Sequence, residues 1–350
     1  MTFGPQIARL RSHGCKVANV EEIELLKLGA LNSVAQVAQH PKVQNRRITA
    51  LKSFLQRLQT SKPDLVIMDR LLIGAQLAVQ QLDIPYLSIG TPGGYWRFDD
   101  RSTLTRANIF QENKPITSYQ KYSETLKRSL AWPRGGFGSA WVHSPYGNLH
   151  FMPSDFYPSQ PDQKSRSLHH HSTCAAPKTG HRLGLSFGNQ GDISRFQSLV
   201  ETLIENRPSG LGVDIFAGSN QEVKAHFDAF THQSDMRVFG WTEFSKVMPN
   251  LSSLVFLGGV GSIWHCIEHG IPMMIAPGHT GDQVINAQRV AALGMGLHLD
   301  DGQDDKATLA SVMDLSRLQV FSTTVAAYAA PEKYSTTLEG YCDRIGLFDF

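Results

Sequence analysis

The chain has 350 residues, 41% hydrophobic and 18% charged, which is enough apolar material for buried cores and too much for a disordered polymer. At roughly 100–200 residues per domain, this length fits about two domains. The formal net charge is +2, the sequence pI is about 8.3, and no Lys/Arg stripe forms, which argues against nucleic acid as a partner.

The first residues, MTFGPQIARLRSHG, contain no apolar core of the signal-peptide kind. No apolar run approaches the roughly 20 residues needed to cross a bilayer. The expectation is a cytoplasmic protein, with membrane contact at most peripheral. Cys15, Cys174, Cys266 and Cys342 show neither CxxC nor metal-ligand spacing, so reduced thiols are expected.

Ile48, Leu51, Leu55 and Leu58 recur at helical spacing. The run Leu65–Met68 predicts a buried strand ending at Asp69. A helix over about Gly74–Leu82 and a strand over Pro85–Ile89 follow. Residues 90–141 are rich in glycine and aromatics, among them Tyr95, Trp96, Phe98, Trp132, Phe137 and Trp141. These suit either core packing or an apolar acceptor pocket. Residues 153–180 hold few apolar side chains and many Pro, Ser and His, and read as a linker. It separates an N-terminal domain, 1–152, from a C-terminal domain, 181–350. The His169-His170-His171 tract is read as solvated linker, with no metal site expected.

Beyond residue 180, apolar runs at Leu183–Phe187, Val213–Ala217, Met236–Phe239, Leu254–Leu257, Pro272–Ala276 and Met295–Leu299 read as strands. Between them lie helical stretches. The clearest carries Ile193, Phe196, Leu199, Val200, Leu203 and Ile204 on one face. Unalternating strands separated by helices predict an α/β domain with a parallel, doubly wound sheet covered on both faces.

Residues 254–293 carry the chemistry. A strand runs to Leu257, and Gly258-Gly259-Val260-Gly261-Ser262 then opens a helix. Glycines there admit close backbone approach to a ligand. Free N–H groups and the positive end of the helix dipole favour an anion such as a diphosphate, and Ser262 adds a hydroxyl. His269-Gly270 and Pro272 stop the helix. A second strand ends near Ala276-Pro277, and Asp282-Gln283 begin the next helix. The dinucleotide spacing GxGxxG and the GK[ST] of a P-loop are both absent, which argues against NAD and ATP hydrolysis.

The whole pattern resembles the donor signature of the UDP-glycosyltransferase superfamily, family 1 glycosyltransferases of GT-B fold. The matching residues are Gly258-Gly259-Val260-Gly261-Ser262, Gly270-Ile271-Pro272, Pro277 and Asp282-Gln283-Val284-Ile285-Asn286-Ala287. Arg289-Val290 and Leu293–Gly296 also fit, as do Leu185–Asn189 upstream. Phe239-Gly240-Trp241 is similar to the family's base-stacking tryptophan. The resemblance implies two Rossmann-like domains facing a cleft. It implies that Trp241 stacks the base, that Gly259, Gly261 and Ser262 cradle the diphosphate, and that Asp282 and Gln283 bond the sugar hydroxyls. Asp282 also suits a plain helix N-terminal carboxylate. His265 stands where the family often has Glu for the ribose, or is a partly buried helix histidine.

Departures from the pattern matter equally. Leu257 replaces a phosphate-contacting His. The residues after Trp241 are Thr242-Glu243-Phe244. Ser12-His13-Gly14-Cys15-Lys16-Val17 is similar only to the tail of the family's opening region, so the first strand and the loop with the catalytic His are expected to be missing. Asp69 matches the Asp that orients that His, or is a strand-end polar residue. The implied function is inverting transfer of a hexose from a UDP- or dTDP-sugar to a hydroxyl of a small, apolar or lipid acceptor. No metal or other cofactor is required. The alternative is a non-catalytic nucleotide-sugar binder or partner protein.

Overall fold

The apolar runs and the helical periodicities become two parallel sheets, each flanked by helices. The structure, a computed structural model, describes residues 41–69, 72–89, 144, 147–150, 152–153, 155–156, 165–167, 181–188, 194–207, 209–229, 231, 235–278, 281–299 and 314–330. The N-terminal elements are α1 (Pro41–Ser61), β1 (Val66–Asp69), α2 (Ile73–Gln81), β2 (Tyr86–Ile89), β3 (Asn148–His150) and β4 (Ser165–Ser167). The four strands lie in the order β1-β2-β3-β4, and every pair is parallel. The expected stripe forms: Leu51, Leu55 and Leu58 of α1 are buried, and α1 packs on α2. Tyr86 and Leu87 of β2 are fully buried, and Gln80 Nε2 donates to the Tyr86 hydroxyl at 2.8 Å.

The C-terminal elements are β5 (Arg182–Ser186), α3 (Ser194–Glu205), β6 (Gly212–Phe216), α4 (Gln221–Asp228), β7 (Met236–Phe239), a short α5 (Phe244–Val247), β8 (Leu251–Phe256), α6 (Val260–His269), β9 (Met273–Ile275), α7 (Gly281–Ala292), β10 (Gly296–His298) and α8 (Leu315–Tyr328). The sheet order is β10-β9-β8-β5-β6-β7, all parallel. The winding therefore proceeds outward in one direction from β5 and in the other from β8. The seam between β5 and β8 is the topological switch point, where sheets of this kind open a crevice at the carboxyl ends.

Strand side chains alternate between two cores. Leu183, Leu185, Phe187, Val213, Ile215, Val255 and Leu257 join Val200 and Leu203 of α3 and Phe227 of α4 on one face. Leu254, Phe256, Met273 and Ile275 join Ile263 and Ile267 of α6 and Ile285 and Val290 of α7 on the other. Both faces are dry, which is why these strands read as unbroken apolar runs.

Within 153–180, expected as linker, some residues have fixed places. Ser165–Ser167 pairs with β3. Just beyond β3, Met152 and Phe156 are buried in the core formed with α6 and α7. Arg289 of α7 holds this hook, donating from Nε to the Phe156 carbonyl at 2.5 Å and from Nη2 to the Asp155 carbonyl at 3.1 Å.

The amino half of the C-terminal sheet holds a charged cluster that the apolar runs hide. Asp214 of β6 is fully buried and accepts from Arg182 Nε at 2.7 Å and from Arg237 Nε at 2.8 Å and Nη2 at 2.5 Å. Register explains the pairing with Arg237, which stands directly opposite Asp214 on β7. Two guanidinium groups around one carboxylate satisfy its acceptor sites, the condition under which a buried charge is tolerated. The bonds to Asp214 in turn push the Arg237 guanidinium pKa above its ordinary value.

Candidate functional site

The site grows from the loops that leave β5 and β8. The two strands run side by side with Ser186 opposite Phe256, so Phe187-Gly188 and Leu257-Gly258-Gly259 emerge together. Gly258 has φ +95, a conformation that side chains rarely adopt. A Cβ there would also meet Ile275 Cγ2 at 2.9 Å and the Gln283 carbonyl at 3.0 Å. Gly258 is therefore a packing glycine, pressed against the first turn of α7. Gly259, the residue before α6, and Gly261 inside its first turn behave oppositely: a Cβ at either would have nothing within 4 Å. Space stands open where first-turn N–H groups lack intrahelical acceptors, and the helix dipole favours an anion there.

Ser262 belongs to the same turn, its N–H donating to the Gly259 carbonyl at 3.0 Å. The far end of α6 closes as the glycine stop predicts. Gly270 is left-handed at φ 67, and Ile271 N–H returns to the Cys266 carbonyl at 2.9 Å, the Schellman arrangement. Cys266 is fully buried, and burial pushes its thiol well above the ordinary range, so it is inert packing.

The loop after β9 closes the other side. Gln283 is buried, and its Oε1 accepts the Gly278 N–H at 2.9 Å. The amide oxygen, expected to serve a ligand, thus tethers its own loop. Nε2 is the atom left to donate outward. Asp282 occupies the first turn of α7, and its side chain lies outside the described residues. Asn286, one turn further on, is 1% exposed and donates from Nδ2 to the Gly258 carbonyl at 2.8 Å. Sequence reasoning gave Asn286 no role. The available signal was its spacing of three from Gln283, which puts both on one helix face.

Trp241 follows β7 and is 48% exposed, unusual for so large an apolar group. β7 lies three strand spacings from β8, roughly 14 Å, a span that an extended base, ribose and diphosphate bridge. Between these ends, Phe244 sets its ring edge-on to His265 at 5.5 Å between centroids. His265 Nδ1 stands 3.3 Å from Glu268 Oε2. Leu257 is buried among core residues, so it offers the site neither a donor nor an exposed surface.

Asp69 ends β1 with an exposed side chain, while its carbonyl accepts the Leu72 N–H at 3.0 Å. His150 of β3 is 8% exposed, and burial pushes its pKa down to about 4. At that value it takes up a proton only weakly near neutral pH. His13 and the aromatics between 95 and 141 lie outside the described residues, as does the His169–His171 tract. No group of three metal-ligating side chains occurs among the described residues. Nor is any described helix long and apolar enough to cross a membrane.

Residues 220–335, which hold Trp241, the glycine loop and α7, match the erythromycin biosynthesis protein CIII-like C-terminal domain. The chain is 22% identical over 297 residues to the aclacinomycin-T 2-deoxy-L-fucose transferase of Streptomyces galilaeus, covering 78% of this chain and 62% of that one. It is 25% identical over 288 residues to the UDP-glucuronosyltransferase 2C1 of Oryctolagus cuniculus, covering 71% and 56%. Among solved structures, the glycosyltransferase VinC in complex with dTDP superposes with a TM-score of 0.61 at 17% identity, over 91% of this chain and 83% of that one.

The chain has the GT-B fold of the glycosyltransferases it resembles.

It spans less than two thirds of the length of either curated relative. In a doubly wound sheet of this order, the seam between β5 and β8 is where the fold places a ligand. The open-space glycines and the exposed indole stand on that edge.

Proposed function

We propose that the chain binds a UDP- or dTDP-hexose across the carboxyl edge of β7, β6, β5 and β8. In this reading it transfers the hexose, with inversion, to a hydroxyl of a small apolar acceptor. The observation that carries it is the open space over Gly259 and Gly261 at the N-terminus of α6. Trp241 stacks the base, and His265 reaches the ribose. The first-turn amides and Ser262 hold the diphosphate, while Asp282 and Gln283 bond the sugar. The dTDP bound by VinC and the transferase names of the curated relatives support the donor class and a small-molecule acceptor.

In the transfer step the acceptor oxygen attacks the anomeric carbon on the face opposite the diphosphate. Its proton passes to a base, for which Asp69 is the candidate among the described residues. The bond from the anomeric carbon to the phosphate oxygen breaks, and the diphosphate leaves with the electron pair. Helix amides stabilise that charge in place, so the scheme needs no metal. Removing a positioned base lowers turnover by about 10²–10⁴-fold. Asp69→Asn is expected to do so, measured as transfer from a competent donor; unchanged turnover removes Asp69 from the scheme.

One observation favours a second reading, a nucleotide-sugar binder without transfer: Leu257 is buried where the family pattern has a histidine donor. Titration calorimetry with UDP, dTDP and their hexoses, followed by donor-hydrolysis and transfer assays, separates the two. Heat with transfer supports the enzyme, heat without transfer supports the binder, and no heat contradicts both.

A further inference from the structure

We infer that Asn286 is a positioning residue whose side-chain bond to the Gly258 carbonyl sets the N-terminus of α6 for a diphosphate. The inference rests on the donor-site reading above and deepens it. Three contacts converge on one turn of α7. Asn286 Nδ2 donates to the Gly258 carbonyl at 2.8 Å. The backbone of Gln283 sits so close to Gly258 that a Cβ there would lie 3.0 Å from its carbonyl oxygen. Gln283 Oε1 accepts the Gly278 N–H at 2.9 Å. The turn 283–286 thereby holds the loop after β8 and the loop after β9 in one frame.

The bond matters because of what Gly258 is. Its φ of +95 is only one of the conformations that glycine samples freely, so neighbours must select it. Asn286 is 1% exposed, so its amide bond is shielded from competing water. Gly258 directly precedes Gly259, which starts α6. A change in the Gly258 peptide rotates the first amides of the helix away from the ligand. The base end, at Trp241 beyond β7, is attached to a different part of the sheet and stays in place. Asn286 therefore governs the diphosphate and not the nucleoside.

The test uses the full chain, with Asn286→Ala and the near-isosteric Asn286→Asp, which presents no N–H to the carbonyl. Hydrogen–deuterium exchange is read first, without ligand. Peptides covering 258–263 are expected to exchange about tenfold faster in both variants, as follows from losing one buried bond, with α3 and α4 unchanged. Unchanged exchange in 258–263 overturns the inference, as does a uniform rise over the whole chain in both variants. Calorimetry then compares dTDP and UDP with thymidine and uridine. Diphosphate affinity is expected to fall about tenfold with nucleoside affinity unchanged; equal losses for both overturn it. If wild-type protein binds neither diphosphate, the donor reading fails, and the exchange result alone decides whether Asn286 fixes the loop.

Discussion

The two ends of the C-terminal sheet use the same residue type for opposite purposes. At the amino end, Gly212 and Gly296 stand where something already fills the space. A Cβ on Gly212 would strike the Arg182 guanidinium, and one on Gly296 would strike the Met273 carbonyl. At the carboxyl end, Gly259 and Gly261 have nothing near them, and neither does Gly188 after β5. The first set lets the protein pack against itself around the Arg182–Asp214–Arg237 cluster. The second set leaves room that the protein does not use. Gly258 sits on the boundary, in the site's loop but packed like the amino-end glycines. Adding a side chain should therefore damage the fold at one end and ligand binding at the other.

Asp214→Ala makes the sharpest case at the amino end. It strips two partly exposed guanidinium groups of their shared carboxylate, and losing three charge-assisted hydrogen bonds is expected to lower stability by about 3 kcal/mol. Chemical denaturation should record that loss, with nucleotide affinity of the folded protein unchanged. Gly258→Ala comes next, at roughly 2–3 kcal/mol, because it combines a strained φ with a blocked Cβ. A stability loss under about 0.5 kcal/mol would remove Gly258 from the packing group.

The carboxyl-end substitutions should invert this pattern. Trp241→Ala removes an exposed ring and is expected to leave the denaturation midpoint within experimental scatter. Nucleoside affinity should fall about tenfold, the loss expected of one stacked base. Gly261→Ala is the smallest effect and the most diagnostic. A methyl group in open space on a helix is expected to raise stability by about 0.5–1 kcal/mol. Diphosphate affinity should drop several-fold in the same protein. A stability loss there would place Gly261 with the packing glycines and collapse the comparison.

The sequence revealed most of the sheet because strands covered on both faces must be apolar throughout. Its errors have local causes. β8 begins at Leu251, not Leu254, a start hidden in the sequence because Ser252 and Ser253 interrupt the apolar run. Ser252 is nevertheless held in place by its hydroxyl, which donates to the Arg182 carbonyl at 3.1 Å. β9 begins at Met273 because Pro272 has no N–H for the ladder, although its carbonyl accepts from Leu254 at 3.0 Å. β4 was hidden because Ser165-Arg166-Ser167 has no apolar signal. The hook at Met152 and Phe156 was hidden because its partner, Arg289, lies more than a hundred residues away.

The glycine loop was legible because its chemistry is local: a strand, a turn and a helix start in consecutive residues. The division of labour inside it was not. Only the distances around each Cβ separate Gly258 from Gly259 and Gly261. Likewise, Gln283 read as a sugar ligand, yet its oxygen is occupied by Gly278. That bond depends on how the loop before α7 folds back, which spacing alone does not encode.

The central claim is that the unfilled space at the start of α6 belongs to the diphosphate of a nucleotide-sugar. Titration calorimetry of UDP and dTDP into wild-type protein and into Gly261→Val, at matched thermal stability, tests it most directly. Saturable binding to the wild type, weakened at least tenfold, about 1.4 kcal/mol, in the variant, is the predicted result. Equal affinity in both proteins, or no binding to the wild type, would contradict it.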